Sequence, residues 1–283
     1  MTNPLVWRTA RGDVHVEKPL VMGILNTTPD SFWDGGQFAG LERAMARAEQ
    51  LVRDGADIID VGGESTRPGA DPVSLEEEHA RVVPVVHAIS ERWPELLISV
   101  DTVKAEIARA AIDQGAAIIN DVSAFRLDPQ MVEVAVETGA GVVLMHSRGR
   151  VDQMARYEMA AYSDDVVGDV ISELQQRVAV AEAAGVQRDS IVLDPGLGFS
   201  KRTEHSVAVM RELDRLVALG FPLLLGPSRK RFIGELSGGL PPEERLPGTI
   251  GACVVGWMKG ARIFRVHDLP EVRRALDVAA GLA

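Results

Sequence analysis

The sequence predicts an α/β protein, a (β/α)8 TIM barrel with a short N-terminal β-hairpin. Three observations predict it. Eight short runs rich in Val, Ile and Leu recur along the 283 residues, each apolar on both faces, as parallel strands covered by helices are. Longer amphipathic stretches separate the runs, so strands and helices alternate. The length suits one barrel of eight such units. An open doubly wound sheet would show an early glycine fingerprint, and "GILNTTPDS" after the first run has none.

The elements follow in order. "LVWRTARGDVHVEK" reads as a hairpin over about residues 5–18 that turns at Gly12 and closes the bottom of the barrel; its "RGD" is a turn. "LVMGILN" is the first barrel strand. "LERAMARAEQLVRDG" sets Leu41, Met45, Ala48 and Val52 at three- and four-residue steps and stops at Gly55. "ADIIDVGG" is the second strand. The next helix, "SLEEEHARVVPVVHAIS", opens with Ser74 three residues before Glu77, a capping-box spacing. "LLISVDT", then the helix "VKAEIARAAIDQG" ending at Gly115, then "AAIIND" and "GVVLMH" continue the alternation. "DDVVGDVISELQQRVAVAEAAG" aligns Val166, Val170, Leu174, Val178 and Ala181 on one face. "SIVLDPG", "PLLLGPS" and "ARIFRVH" complete the eight strands. With no linker or low-complexity segment, residues 1–283 read as one domain.

Composition narrows the function. A net charge of -11 and a pI near 5.1 argue against nucleic acid, whose phosphates need a basic field. A small anion remains a possible ligand where cations converge locally, because distant charges are screened. No apolar run reaches the length of a membrane span. The one cysteine, Cys253, sits in apolar "GACVVGWM"; with no signal-peptide layout at the start, a reducing cytoplasm is expected.

Three strands run directly into polar groups: Asp101 in "LLISVDT", Asn120 and Asp121 in "AAIIND", Asp194 in "SIVLDPG". Buried carboxylates are costly without partners, and in a barrel the C-terminal strand ends meet at one mouth. Asn26, Asp101, Asn120, Asp194, Lys230, Arg265 and His267 therefore ring that mouth. A carboxylate with an amide can read a flat nitrogen heterocycle; the plainer alternative is capping of nearby N–H groups. "GPSRKRFIG" and "FRVHD" bring Ser228, Arg229, Lys230, Arg231, Arg265 and His267 to one sector, where barrels often bind phosphate. The "NTTPDSFWDGG" loop carries Phe32 and Trp33, and Arg67 in "GGESTRPGADPVS" has the fork to clamp a carboxylate. His146 lacks a metal-ligand spacing, and neither a nucleophile elbow nor a P-loop is present.

"GILNTTPDSFWDGG", "IIDVGGESTRPGA", "ISVDT", "INDVS", "LDPGLGF", "SRKRFIG" and "RVHD" together resemble the dihydropteroate synthase family, from about residue 20 to the C-terminus. The resemblance implies a TIM barrel that condenses 6-hydroxymethyl-7,8-dihydropterin pyrophosphate with p-aminobenzoate. By motif, it assigns the pterin to Asp101, Asn120, Met145, Asp194, Phe199 and Lys230. It assigns p-aminobenzoate to Phe32, Thr66, Arg67, Pro68 and the Arg231 backbone, and pyrophosphate to Asn26, Arg265 and His267. Mg²⁺ is the implied cofactor, touched by Asn26. Asp101, Lys230, Asn26 and Arg67 are the implied catalytic residues, and a homodimer the implied assembly. The chain departs from the family pattern at Trp33, Ser147, Leu197 and Pro227, none of which removes a ligand group.

Two rivals share the Asp/Asn pocket: a pterin- or folate-dependent methyltransferase serving a corrinoid partner, and a non-catalytic pterin-binding paralogue. The first has no evident need for "STRPG" or a pyrophosphate site. The second would be expected to lose Arg67, Lys230 or His267, and all three stand.

Overall fold

In the computed structural model, residues 5–27, 37–65, 72–154 and 156–283 are described. A hairpin comes first: β1 (Val6–Thr9) pairs antiparallel with β2 (Gly12–His15), with Thr9 opposite Gly12. Gly12 closes the turn at φ 111, a conformation glycine adopts without strain.

Eight parallel strands follow: β3 (Leu20–Asn26), β4 (Ile58–Gly62), β5 (Leu97–Asp101), β6 (Ile118–Asp121), β7 (Gly141–Met145), β8 (Ile191–Asp194), β9 (Leu224–Leu225) and β10 (Ile263–Val266). They form one sheet in the order β8-β7-β6-β5-β4-β3-β10-β9. The ends of that order meet at a parallel bridge between Leu193 and Leu223, where the Leu193 N–H donates to the Pro222 carbonyl at 3.0 Å. The run "PLLLGPS" thus yields a two-residue strand plus this bridge.

Alternation along each strand sorts its side chains. Val21, Leu25, Ile59, Val61, Ile98 and Val100 face outward into the layer shared with the helices. Met22, Ile58, Ile118, Val143, Val192, Leu224 and Ile263 face inward as one apolar floor, and Trp7 of the hairpin packs on it. Trp7 is fully buried, and its indole N–H donates to the Ser190 carbonyl at 3.0 Å. The hairpin therefore plugs the N-terminal mouth, as its sequence predicts.

The helices wrap the sheet: α1 (Gln37–Arg53), α2 (Leu75–Arg92), α3 (Ala105–Asp113), α4 (Met131–Thr138), α5 (Val166–Ala184), α6 (Thr203–Arg211), α7 (Leu213–Val217), α8 (Arg231–Leu236), α9 (Leu246–Met258) and α10 (Leu269–Leu282). In α1 the fully buried stripe is Ala44, Ala48 and Leu51, flanked by half-buried Leu41, Met45 and Val52. In α5 the buried face starts at Val167, with Val166 half-buried in the first turn, which Asp165 caps by accepting from the Gly168 N–H. At α2, Ser74 accepts from the Glu77 N–H at 3.2 Å. The capping box closes only halfway, since the Glu77 carboxylate pairs with Arg81 one turn on.

Candidate active site

The inward side chains change character towards the C-terminal strand ends. Parallel register places Asp101 beside Gly62 and Asn120, and Asp60 one layer deeper beside Ile24 and Ser99. Arg265, on β10, also points inward, two residues after Ile263 of the floor. Its Nε donates to Asp60 Oδ2 at 2.6 Å and its Nη2 to Asp101 Oδ2 at 2.7 Å. Asn120 Nδ2 donates to the same Asp60 oxygen at 3.2 Å. One guanidinium thus ties two carboxylates from different layers. Burial raises the Asp101 carboxyl above the usual range, Arg265 opposes that and Asp60 adds to it.

Asp194 ends β8, and its Oδ1 accepts from the Gly196 N–H at 2.7 Å. Burial pushes it up to about 6 against the pull of that N–H and of Lys230. Lys230 lies with Nζ 3.7 Å from the centre of the Phe199 ring, a cation–π contact that fixes both groups. Burial, with Arg265 adding, draws Lys230 down to about 8. At the other rim Ser228 Oγ accepts from the His267 N–H at 3.1 Å and meets His267 Nδ1 at 2.9 Å.

These groups share one cavity of about 530 Å³ at the C-terminal mouth, a size suited to a small ligand. Asn26, Asp101, Asn120, Met145, Asp194, Phe199, Lys230, Arg231, Arg265 and His267 all line it. Phe32, Thr66, Arg67 and Pro68 lie outside the described residues, as does Trp33. Of the other departures, Leu197 is buried in the cavity wall, and Ser147 donates to the Val122 carbonyl at 2.6 Å. The Pro227 carbonyl accepts from the Lys230 N–H at 3.1 Å. Arg265, expected at the pyrophosphate, is bonded to Asp60 and to Asp101, the acid expected at the pterin.

Sequence reasoning missed Asp60. It keyed on polar groups that end apolar runs, and Asp60 sits inside one, "ADIIDVGG". It also passes over Lys201, and at His146 it finds only that a metal-ligand spacing is lacking. Both are buried, and they are bonded to each other at 2.7 Å.

Among the described residues no group of three His, Cys, Asp or Glu side chains is placed to hold a metal. A magnesium ion does not need one: it keeps its waters and takes one or two protein oxygens plus substrate phosphates. The Asn26 amide, on the cavity wall at the end of β3, fits that modest role.

A parallel barrel with a buried acid–amide–lysine cluster at its C-terminal mouth, beside an Arg and a His, defines an enzyme for a planar nitrogen heterocycle carrying an anionic group. Comparison with known proteins narrows the class. The profile of the family described as "Pterin binding enzyme" matches residues 22–267. A dihydropteroate synthase of Bacillus subtilis is 46% identical over 258 residues, 91% of this chain and 86% of that protein. A Xanthomonas albilineans dihydropteroate synthase solved with 4-aminobenzoic acid superposes with a TM-score of 0.89 at 42% identity, over 98% of each chain. The same species' enzyme solved with 7,8-dihydropteroate gives 0.86 at 40% identity, over 97% of this chain and 98% of that one. The chain belongs to the pterin-binding enzyme family and, within it, to the dihydropteroate synthases, transferases of folate biosynthesis.

Proposed function

We propose that the chain joins 6-hydroxymethyl-7,8-dihydropterin pyrophosphate to p-aminobenzoate through the residues gathered at this mouth. The observation that carries the assignment is the convergence of Asp101, Asn120, Asp194 and Lys230 on one cavity with Arg265 and His267 beside them. Asp194 and Asn120 offer an acceptor and an amide to the edge of the pterin. Met145 and Phe199 wall the ring, and Lys230 is held over Phe199.

The carbon–oxygen bond to pyrophosphate breaks with its electron pair going to the leaving oxygen. The pterin methylene is left as a cation conjugated into the ring. Asp101, and Asp194 less directly, stabilise that developing positive charge. Arg265 and His267 face the departing negative charge. The p-aminobenzoate nitrogen donates its lone pair to the methylene and then releases a proton. No nucleophilic side chain is required. Magnesium, when bound at Asn26, supplies charge neutralisation to the pyrophosphate. Phe32, Thr66, Arg67, Pro68 and the backbone N–H at Arg231, the first residue of α8, are assigned to p-aminobenzoate.

A homodimer is proposed through the α9–α10 side, where Val255, Met258, Val278 and Leu282 are exposed. The setting is proposed to be cytoplasmic; Cys253 is free and buried, and no helix among the described residues is long and apolar enough to cross a membrane.

Purified chain with both substrates and Mg²⁺ should give dihydropteroate and one pyrophosphate per product. Asp101→Asn should lower kcat about 100-fold, the scale of losing one preorganised charge partner. Full turnover by that variant would remove Asp101 from the mechanism.

A further inference from the structure

Lys201 is a buried amine that the mechanism above does not use. It follows the β8 loop "DPGLGFS" and is 2% exposed, yet it lines the same cavity as Asp194. Its Nζ lies 2.7 Å from His146 Nδ1 and donates to the Phe199 carbonyl at 3.2 Å. His146 is 3% exposed, and its Nε2 meets Glu173 Oε2 at 3.2 Å. Glu173 in turn accepts from Arg148 Nε at 3.1 Å. The same His146 donates its backbone N–H to the Asp194 carbonyl at 2.8 Å.

The protonation order along this chain follows from the partners. An ammonium at Lys201 can only donate, so His146 Nδ1 accepts, and the imidazole is neutral with its proton on Nε2, aimed at Glu173. Burial and Lys201 together hold His146 down to about 4, consistent with that tautomer. A neutral ring cannot offset the lysine charge. The nearby carboxylate that pulls on Lys201 most is Asp194, and Lys201 in turn helps to hold Asp194 ionised.

We propose that Lys201 is a positioning residue of the pterin pocket, fixed by the His146–Glu173 pair so that its ammonium keeps Asp194 ionised and the Phe199 loop seated against the pterin. The inference rests on the reading that Asp194 receives the pterin. The charged and titratable groups facing Lys201 come from several elements. Arg148, Tyr162 and His146 belong to the segment after β7, and Glu173 to α5. Asp194 ends β8, Lys230 precedes α8 and His205 lies on α6. Burial draws Lys201 down to about 7, so below neutrality it carries its charge.

The sign follows. Removing a cation near a carboxylate raises the carboxylate's pKa. In Lys201→Met the acid limb of kcat/KM for the pterin pyrophosphate should move up by about one pH unit. The KM for that substrate should rise about threefold at pH 6.5, because a one-unit rise from about 6 leaves roughly a third as much Asp194 carboxylate there. The KM for p-aminobenzoate and the melting temperature should hold. Lys201→Gln keeps a donor without the charge and should show the same acid-limb shift. In an Asp194→Asn background, Lys201→Met should shift nothing further. An unmoved profile in both variants would overturn the proposal, as would a wild-type profile in the Gln variant alone, which would assign the hydrogen bond rather than the charge. Unfolding of both variants would make Lys201 a structural strut and end it too. The pocket reading fails separately: Asp194→Asn would then leave the pterin KM unchanged.

Discussion

At the scale of single residues, the site depends on how closely backbone and side chains approach around Asp194. Gly196 sits at φ 66, and a Cβ there would collide with the His146 carbonyl oxygen. Its N–H holds Asp194 Oδ1, while the His146 N–H holds the Asp194 carbonyl. A side chain at Gly196 would therefore strain the backbone and displace the acid together. Gly196→Ala should lose at least about 2 kcal/mol in urea unfolding and raise the pterin KM with it. A stable Gly196→Ala protein with an unchanged KM would mean that the β8 loop adapts at no cost to the pocket. This scale also marks where the sequence stops being legible. Asp101, Asn120 and Asp194 are readable because each interrupts an apolar run at its end. Asp60 and Lys201 are not, because their meaning lies in partners far along the chain, Arg265 for one and His146 for the other. Nothing in the local pattern gives those distances.

At the scale of elements, strand recognition works where burial on both faces makes a continuous apolar run. All eight barrel strands fall inside such runs, though β9 shrinks to Leu224–Leu225 because closure is shared with the Leu193–Leu223 bridge. Short helices such as α4 and α7 went unread, since eight and five residues hold too few turns to display a period. The hairpin is the element whose role can be isolated. Trp7 is buried at the N-terminal mouth, on the floor of Met22, Ile118 and Val192, away from Asp101 and Lys230. Trp7→Ala removes that packing and the bond to Ser190, and should cost about 3–5 kcal/mol. Because the cost falls below the floor, kcat at a temperature where the protein stays folded should hold within about twofold, well under the tenfold that one pKa unit of disturbed electrostatics represents. A calorimetric scan paired with a 25 °C assay separates the two. A large loss of kcat without loss of stability would show that the floor transmits strain to the mouth.

At the scale of the whole molecule, two fields oppose each other at the entrance. The chain carries a net charge of -11, while Arg202, Lys230, Arg231 and Arg245 line the cavity, beside an Arg265 already paired with Asp60 and Asp101. Two of these cations flank Tyr157, with Arg231 Cζ at 4.6 Å and Arg202 Cζ at 5.3 Å from its ring. Arg245 is fixed on the Leu240 and Arg229 carbonyls at 2.8 and 3.0 Å. The collar is thus held in place rather than solvated at random. Which field an approaching anion feels depends on salt. A chain of this length has a radius of gyration of about 19 Å. At about 0.01 M the screening length is about 30 Å, so the global negative charge acts across the whole approach and repels. At about 0.15 M the length falls to about 8 Å, and only the collar remains within range. Near 1 M, at about 3 Å, the collar itself is screened. The rate constant kcat/KM for the pterin pyrophosphate should therefore rise from low to physiological salt and fall beyond it, with a weaker maximum for singly charged p-aminobenzoate. A steady fall from the lowest salt upward would mean that the collar outweighs the net charge at every distance. In that case Arg202→Gln and Arg231→Gln should flatten the curve, while the opposing account has them move its maximum towards higher salt.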